Sequence, residues 1–346
     1  MVLPSVPALI DRLLRPLRNL RLSVTDRCNL RCSYCMPEEE YVWLPQPHIL
    51  TFEEIARVVG IFSQLGVEKV RLTGGEPLLR RDLNTLVAML ALLPRIRELA
   101  LTTNGVLLAR HAAALRTAGL QRITVSLDTL DPRTFLQLSR RDDLHNVLAG
   151  IAAARTAGFV SIKLDTVMIA GVNDHELVRL VDFARSNGAE IRFIEYMDVG
   201  GATHWRKEMV VSRAQILSVL GHHFGPIRAV PRTDSAPAEQ FLLPDGTVFG
   251  VIASVTQPFC STCDRSRLTA DGMWFRCLYA EHGTSLRELI RSSTDDAAIA
   301  AMISQTWQQR DDRGAELRAA MPDRQPLVAA AQLRSQPHLE MHTRGG

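Results

Sequence analysis

Arg21 to Met36 read RLSVTDRCNLRCSYCM and carry Cys28, Cys32 and Cys35 in a C-x3-C-x2-C spacing. The preceding LRLSV is apolar and β-branched and predicts a strand, so the three thiols sit in a loop just past a strand end. Thiolates this close together can hold zinc or an iron–sulfur cluster. A structural zinc site closes with four ligands, and an electron-transfer 4Fe–4S cluster normally has four cysteines. No fourth ligand is near: the next histidine is His48 and the next cysteine Cys260. A cluster on three cysteines leaves one iron open to a substrate or cofactor. Asp26 and Arg27 crowd the loop, and Tyr34 stands between the last two cysteines, where its ring could cover a bound ligand.

Downstream a pattern repeats. Thr51 to Glu54 form a capping box, and Ile55, Val58, Val59 and Phe62 give one apolar helical face ending at Gly66. Strands are predicted over 69–73, 97–103, 121–127, 160–168 and 190–196, most followed by a helix. With the first strand at about 20–25 these make six units, which imply a parallel sheet with right-handed crossovers. The fold class is α/β: a partial, six-stranded TIM barrel, with chemistry expected at the C-terminal strand ends. Those ends carry the cysteine loop, Gly74-Gly75-Glu76-Pro77, Thr102-Thr103-Asn104, Ser126 with Asp128, and Glu195 with Met197. Polar βα turns are ordinary, but two glycines after a strand let a ligand approach the backbone. Alternation turns Lys163 into the barrel; Arg71 also falls inside a strand. A charge there needs a partner: either Asp165 or, as we favour, a phosphate.

Residues 1–200 form the barrel, and 201–346 a region that closes it. A capping box at Ser212 starts a short helix, 212–220. PIRAV, EQFLL and TVFGVIA then predict antiparallel strands across the open side. FCSTCDRSRLTADGMWFRC holds Cys260, Cys263 and Cys277 as C-x2-C-x13-C, and Asp271-Gly272 is a hairpin turn that folds Cys277 back. A zinc knuckle with His282 is one reading; Arg265 and Arg267 beside the loop suit polyphosphate instead. Residues 284–320 are expected to be helical, and residues 1–19 a loosely packed leader.

The chain has 346 residues and a net charge of +3, too little to demand nucleic acid. It has no long uncharged apolar run and no signal-peptide pattern, so neither a membrane span nor export is expected. Lysine occurs only at Lys69, Lys163 and Lys207, which draws attention to Lys163. The six cysteines form two triplets with none to spare, unlike a disulfide framework or scattered core thiols. Thiol ligation implies a reducing cytoplasm.

The first triplet resembles the radical S-adenosylmethionine (SAM) superfamily. Both triplets together, with RLTGGEPLLRRDL, LTTNG, VSLDTLDP, GVND, FIEYM and the terminal Gly-Gly, resemble the GTP 3′,8-cyclases of molybdenum cofactor biosynthesis from about residue 11 to 290. The resemblance implies a SAM-cleaving 4Fe–4S cluster on Cys28, Cys32 and Cys35, and SAM lined by Tyr34, Gly75, Ser126 and Met197. It implies a second 4Fe–4S cluster on Cys260, Cys263 and Cys277, whose open iron meets guanine. GTP would be held by Arg21, Arg71, Thr102, Lys163, Arg265, Ser266 and Arg267, with Gly345 and Gly346 inserted beside the pockets. A 5′-deoxyadenosyl radical would take the ribose C3′ hydrogen, and C3′ would bond to guanine C8. A flavodoxin or ferredoxin-type electron donor, delivery of product to the cyclic pyranopterin monophosphate synthase, and a possible homodimer follow from the same resemblance. Asp264 and Ser266 depart from the family pattern, where Asn and a larger apolar residue are expected. The competing readings are a peptide-modifying radical SAM enzyme, which usually needs more C-terminal cysteines, and a non-enzymatic zinc or electron-carrying protein.

Overall fold

The computed structural model describes residues 8–232, 234–292 and 294–345. Six parallel strands follow one another in chain order: β1 (Asn19–Ser23), β2 (Lys69–Thr73), β3 (Glu98–Thr103), β4 (Arg122–Ser126), β5 (Ile162–Met168) and β6 (Glu190–Glu195). Between them run α1 (Phe52–Gln64), α2 (Leu83–Ala91), α3 (Leu108–Thr117), α4 (Pro132–Ser139), α5 (Leu144–Thr156) and α6 (Leu177–Ser186). Alternation puts Leu20, Leu22, Val70, Leu72, Ile123 and Val125 on one face of the sheet, where they join a core with Val58, Phe62, Leu86 and Ile151 of the helices. The capping boxes at Thr51 and Ser212 both form.

The C-terminal region continues the same sheet. It contains α7 (Arg213–Phe224), β7 (Arg228–Ala229), β8 (Glu239–Leu242), β9 (Val248–Ile252), β10 (Arg265–Leu268), β11 (Met273–Phe275) and β12 (Thr284–Ser285). The expected antiparallel strands form, β7 pairing with β8 and β8 with β9; in addition β9 pairs parallel to β6, and β10 pairs parallel to β1. The chain between β9 and β10 crosses the open side, so each edge of the six-stranded core gains a parallel strand. The antiparallel strands β8 and β7 lie outside β9, and β11 and β12 lie outside β10. The stretch 284–320 is only partly helical: after β12 come α8 (Arg287–Arg291), α9 (Asp296–Gln308) and α10 (Gly314–Ala319). Two further helices, α11 (Ala330–Ser335) and α12 (Met341–Arg344), lead to Gly345.

The leader is not loose over its described part. Asp11, Arg15 and Leu17 are buried, and Arg15 donates to the carbonyls of Cys260 (2.9 Å) and Asp312 (2.7 Å). No helix among the described residues is long and apolar enough to cross a membrane.

Candidate active site

The strands surround a cavity of about 510 Å³ lined by all six cysteines. Parallel register sorts its inward side chains into layers. Arg267, Arg21 and Arg71 are register partners on β10, β1 and β2, and Arg71 pairs through Ala100 to Arg122 on β4. Four guanidiniums thus share one level of the barrel. Burial holds Arg21 well below the usual arginine range, and repulsion from Arg267, Arg71 and Arg265 adds to it. One layer on, Thr102 and Thr124 accept from Arg71 Nη1 at 3.1 and 2.9 Å, and Lys163 follows in the same row. Lys163 lies 3.3 Å from Glu190 on the neighbouring strand, which replaces Asp165 as its protein partner. Like charges gathered out of water need an anion.

At the C-terminal strand ends, Cys28, Cys32 and Cys35 line the cavity with Tyr34, Gly75, Ser126 and Met197. Tyr34 Oη donates to Asp128 at 2.6 Å, which fixes the ring; burial pushes the Asp128 carboxyl up to about 6. The close approach at the glycines is made by the cysteine loop itself. Gly75 N donates to Thr25 O (2.9 Å) and Glu76 N to Arg27 O (2.7 Å), and a Cβ on Gly75 would overlap the Arg27 carbonyl. The buried Glu76 carboxylate accepts from Thr103 Oγ1 and Asn104 N, while Asn104 reaches Asn29 (2.8 Å) and lies 3.9 Å from Cys28 Sγ. Glu195 is a strap instead: it accepts from the amides of Arg213, Val255 and Thr256.

The second triplet lies at the other end of the barrel. Asn19 and Arg265 are register partners, so Cys260 and Cys263 stand level with the start of β1. The antiparallel pair Arg267–Phe275 brings Cys277 back to that level. The five residues of β1 separate the two ends by about 13 Å at ~3.3 Å per step. Burial disfavours the Cys263 thiolate, but Arg265 and Arg310 outweigh it and bring its pKa down to about 6. His282 is exposed and does not line the cavity, so it does not close a knuckle with the three thiols.

All six cysteines are free thiols. Among the described residues, no three His, Cys, Asp or Glu side chains converge on one ion-sized point. Each triplet offers three soft donors on a cavity wall with its open side toward the interior, a donor set that fits a cluster with one free iron.

Of the remaining predicted site residues, Arg265 faces the cavity, but Ser266 does not: strand alternation buries it on the opposite face with its hydroxyl unpartnered. Gly345 packs against Ser23 and Thr73 at the ends of β1 and β2, with φ 72°, and its carbonyl accepts from Arg267. Gly346 lies outside the described residues. Arg344 is buried, with its guanidinium 4.2 Å from the Phe275 ring. Sequence reasoning missed Arg122 and Arg192, although the alternation that exposed Lys163 puts them on the same face. It also missed Arg15 and Arg310, for which no local pattern gives a sign.

Residues 22–184 match the radical SAM superfamily model, and residues 189–316 match the Molybdenum Cofactor Synthesis C model. A protein named GTP 3′,8-cyclase 3 from Mycobacterium bovis is 52% identical over 97% of this chain and 90% of its own length. GTP 3′,8-cyclase from Acidothermus cellulolyticus is 54% identical over 90% of this chain and 89% of its own length. Among solved structures, Streptococcus suis SuiB bound to its precursor peptide SuiA superposes with a TM-score of 0.60 at 17% identity, over 89% of this chain and 67% of that one. That likeness is one of fold. The identity to the cyclases, sustained over nearly the whole length, establishes that the chain belongs to the GTP 3′,8-cyclase family of radical SAM proteins.

Proposed function

We propose that the chain is a GTP 3′,8-cyclase and a lyase, converting GTP to (8S)-3′,8-cyclo-7,8-dihydroguanosine 5′-triphosphate, the first step of molybdenum cofactor biosynthesis. The observation that carries this is a single cavity with a thiol triplet at each end and a row of arginines between. Cys28, Cys32 and Cys35 would hold a 4Fe–4S cluster, which would supply the electron for cleaving SAM to the radical that takes the ribose C3′ hydrogen. Tyr34, Gly75, Ser126 and Met197 line the SAM side. Arg21, Arg71, Arg265, Arg267 and Lys163 neutralise the triphosphate, whose charge of about four a dry site cannot otherwise accept. Thr102 holds Arg71 in place. Cys260, Cys263 and Cys277 would hold a second cluster, which would offer an open iron to the guanine. With guanine held at the second triplet, the distance between the two ends places C3′ relative to SAM. The protein works in the cytoplasm, takes its electron from a reduced flavodoxin or ferredoxin-type donor, and passes product to the cyclic pyranopterin monophosphate synthase; a homodimer is compatible with these roles.

Iron and sulfide analysis of anaerobically purified protein tests this reading. About eight irons per chain are expected from two four-iron clusters. Cys28→Ala should abolish SAM cleavage and leave the second cluster. Cys263→Ala should spare uncoupled SAM cleavage and stop GTP turnover. Zinc with negligible iron would overturn the proposal.

A further inference from the structure

Behind the second triplet, on the side away from the cavity, two arginines are buried that neither SAM nor GTP can reach. Arg310 follows α9 and is 1% exposed. Its Nη1 donates to Cys263 O at 2.8 Å, and its Nη2 lies 3.5 Å from Cys263 Sγ. The guanidinium stacks on Trp307, with its carbon 4.5 Å from the ring centre. Arg15 does the corresponding work on the other half of the loop, donating to Cys260 O at 2.9 Å. One buried carboxylate, Asp11, joins the pair at 2.7 Å from Arg15 and 3.2 Å from Arg310; Asp312 lies 3.7 Å from Arg310 Nε.

We propose that Arg310 is a positioning residue that sets the reduction potential of the second cluster, with Arg15 and Asp11 holding the loop that presents it. This rests on the reading of Cys260, Cys263 and Cys277 as that cluster's ligands. Holding a loop requires only donors to its carbonyls; Arg310 also directs an N–H and a positive charge at a ligand sulfur. Reduction adds one electron, and hence one negative charge spread over iron and sulfur, with no bond made or broken. A cation at Cys263 Sγ stabilises that form and raises the potential. Arg265 faces the same cysteine from the cavity, where substrate phosphates compete for its charge. Arg310 is screened from the cavity, so its contribution persists whether or not substrate is bound. Dispersed burial in a leader, a loop and a helix end explains why the arrangement leaves no local trace in the sequence.

The test is a reductive titration of full-length protein followed by electron paramagnetic resonance, begun with iron analysis of the wild type. Four irons rather than eight would end the two-cluster reading, whatever Arg310 does. With two clusters present, Arg310→Met should move the second midpoint to more negative potential by at least the equivalent of a tenfold change in the oxidised-to-reduced ratio, about 59 mV. The first cluster's midpoint should stay fixed, which a general loosening of the fold would not allow. Both clusters retained at wild-type midpoints would overturn the proposal. If Arg310→Met loses the second cluster, Arg310→Gln decides. A glutamine keeps an N–H for the Cys263 carbonyl but carries no charge. A negative shift of the second midpoint is then expected, and an unmoved midpoint overturns the proposal.

Discussion

Lys163 shows how a single residue reports the site. Its inward direction follows from alternation in β5, yet its partner depends on the offset between β5 and β6, which no pattern inside either strand reveals. Burial brings its pKa down to about 8, Arg192 pushes the same way, and Glu190 only partly opposes them. The phosphate-binding form is the protonated one, fully present below that value and lost as pH rises through it. GTP affinity should therefore fall as pH passes about 8, with proton uptake on binding above it. Lys163→Ala should weaken GTP binding by about 1–3 kcal/mol, the scale of a charged hydrogen bond, and leave SAM cleavage largely intact. Calorimetry in buffers of different ionisation enthalpy reads both quantities. Unchanged affinity would leave Lys163 as Glu190's structural partner alone. Ser266 gives the converse lesson: reading Arg265-Ser266-Arg267 as one motif hides that alternation separates its middle residue from the other two.

At the scale of elements, the repeating strand–helix units were legible because their apolar periods, caps and glycine stops agree, and the first cysteine loop follows from them. The end of the barrel that receives the second triplet was not legible, because it depends on β10, which starts at Arg265, pairing parallel to β1, which ends at Ser23. The Gly74–Pro77 loop was legible as special but for a partly different reason. Its glycines admit the backbone of the cysteine loop, and Glu76 ties that junction to the end of β3. Gly75→Ala should force the Arg27 carbonyl away and cost about 1–3 kcal/mol, as overpacking does. The expected result is a lower melting temperature and loss of iron from the first cluster, with the second retained. Wild-type melting and iron content would show that the loop has room to move.

At the scale of the whole molecule, the described residues near each end of the chain bear on one of the two thiol triplets. The leader supports one thiol triplet and the tail enters beside the other. Gly345 fits against Ser23 and Thr73 because it has no Cβ, and a side chain there would overlap Thr73 while also having to adopt a positive φ. Its carbonyl occupies Arg267, one of the four guanidiniums proposed for GTP, whose pKa burial and then Arg265 bring down to about 10. Arg344 is anchored separately, donating to the carbonyls of His338 and Leu278, each at 2.6 Å. His338 is in turn held by Asp271 at 2.8 Å. The anchor and the inserted tip are thus distinct, and removing the tip leaves the anchor standing. Deleting Gly345 and Gly346 should preserve both clusters and the melting temperature while sharply lowering GTP cyclisation, because Arg267 loses the nearer of the two tail carbonyls, of Gly345 and Arg344, that it bonds. Cyclisation assayed beside SAM cleavage separates the outcomes: a truncated enzyme with full cyclase activity would make the tail a packed end with no part in the reaction.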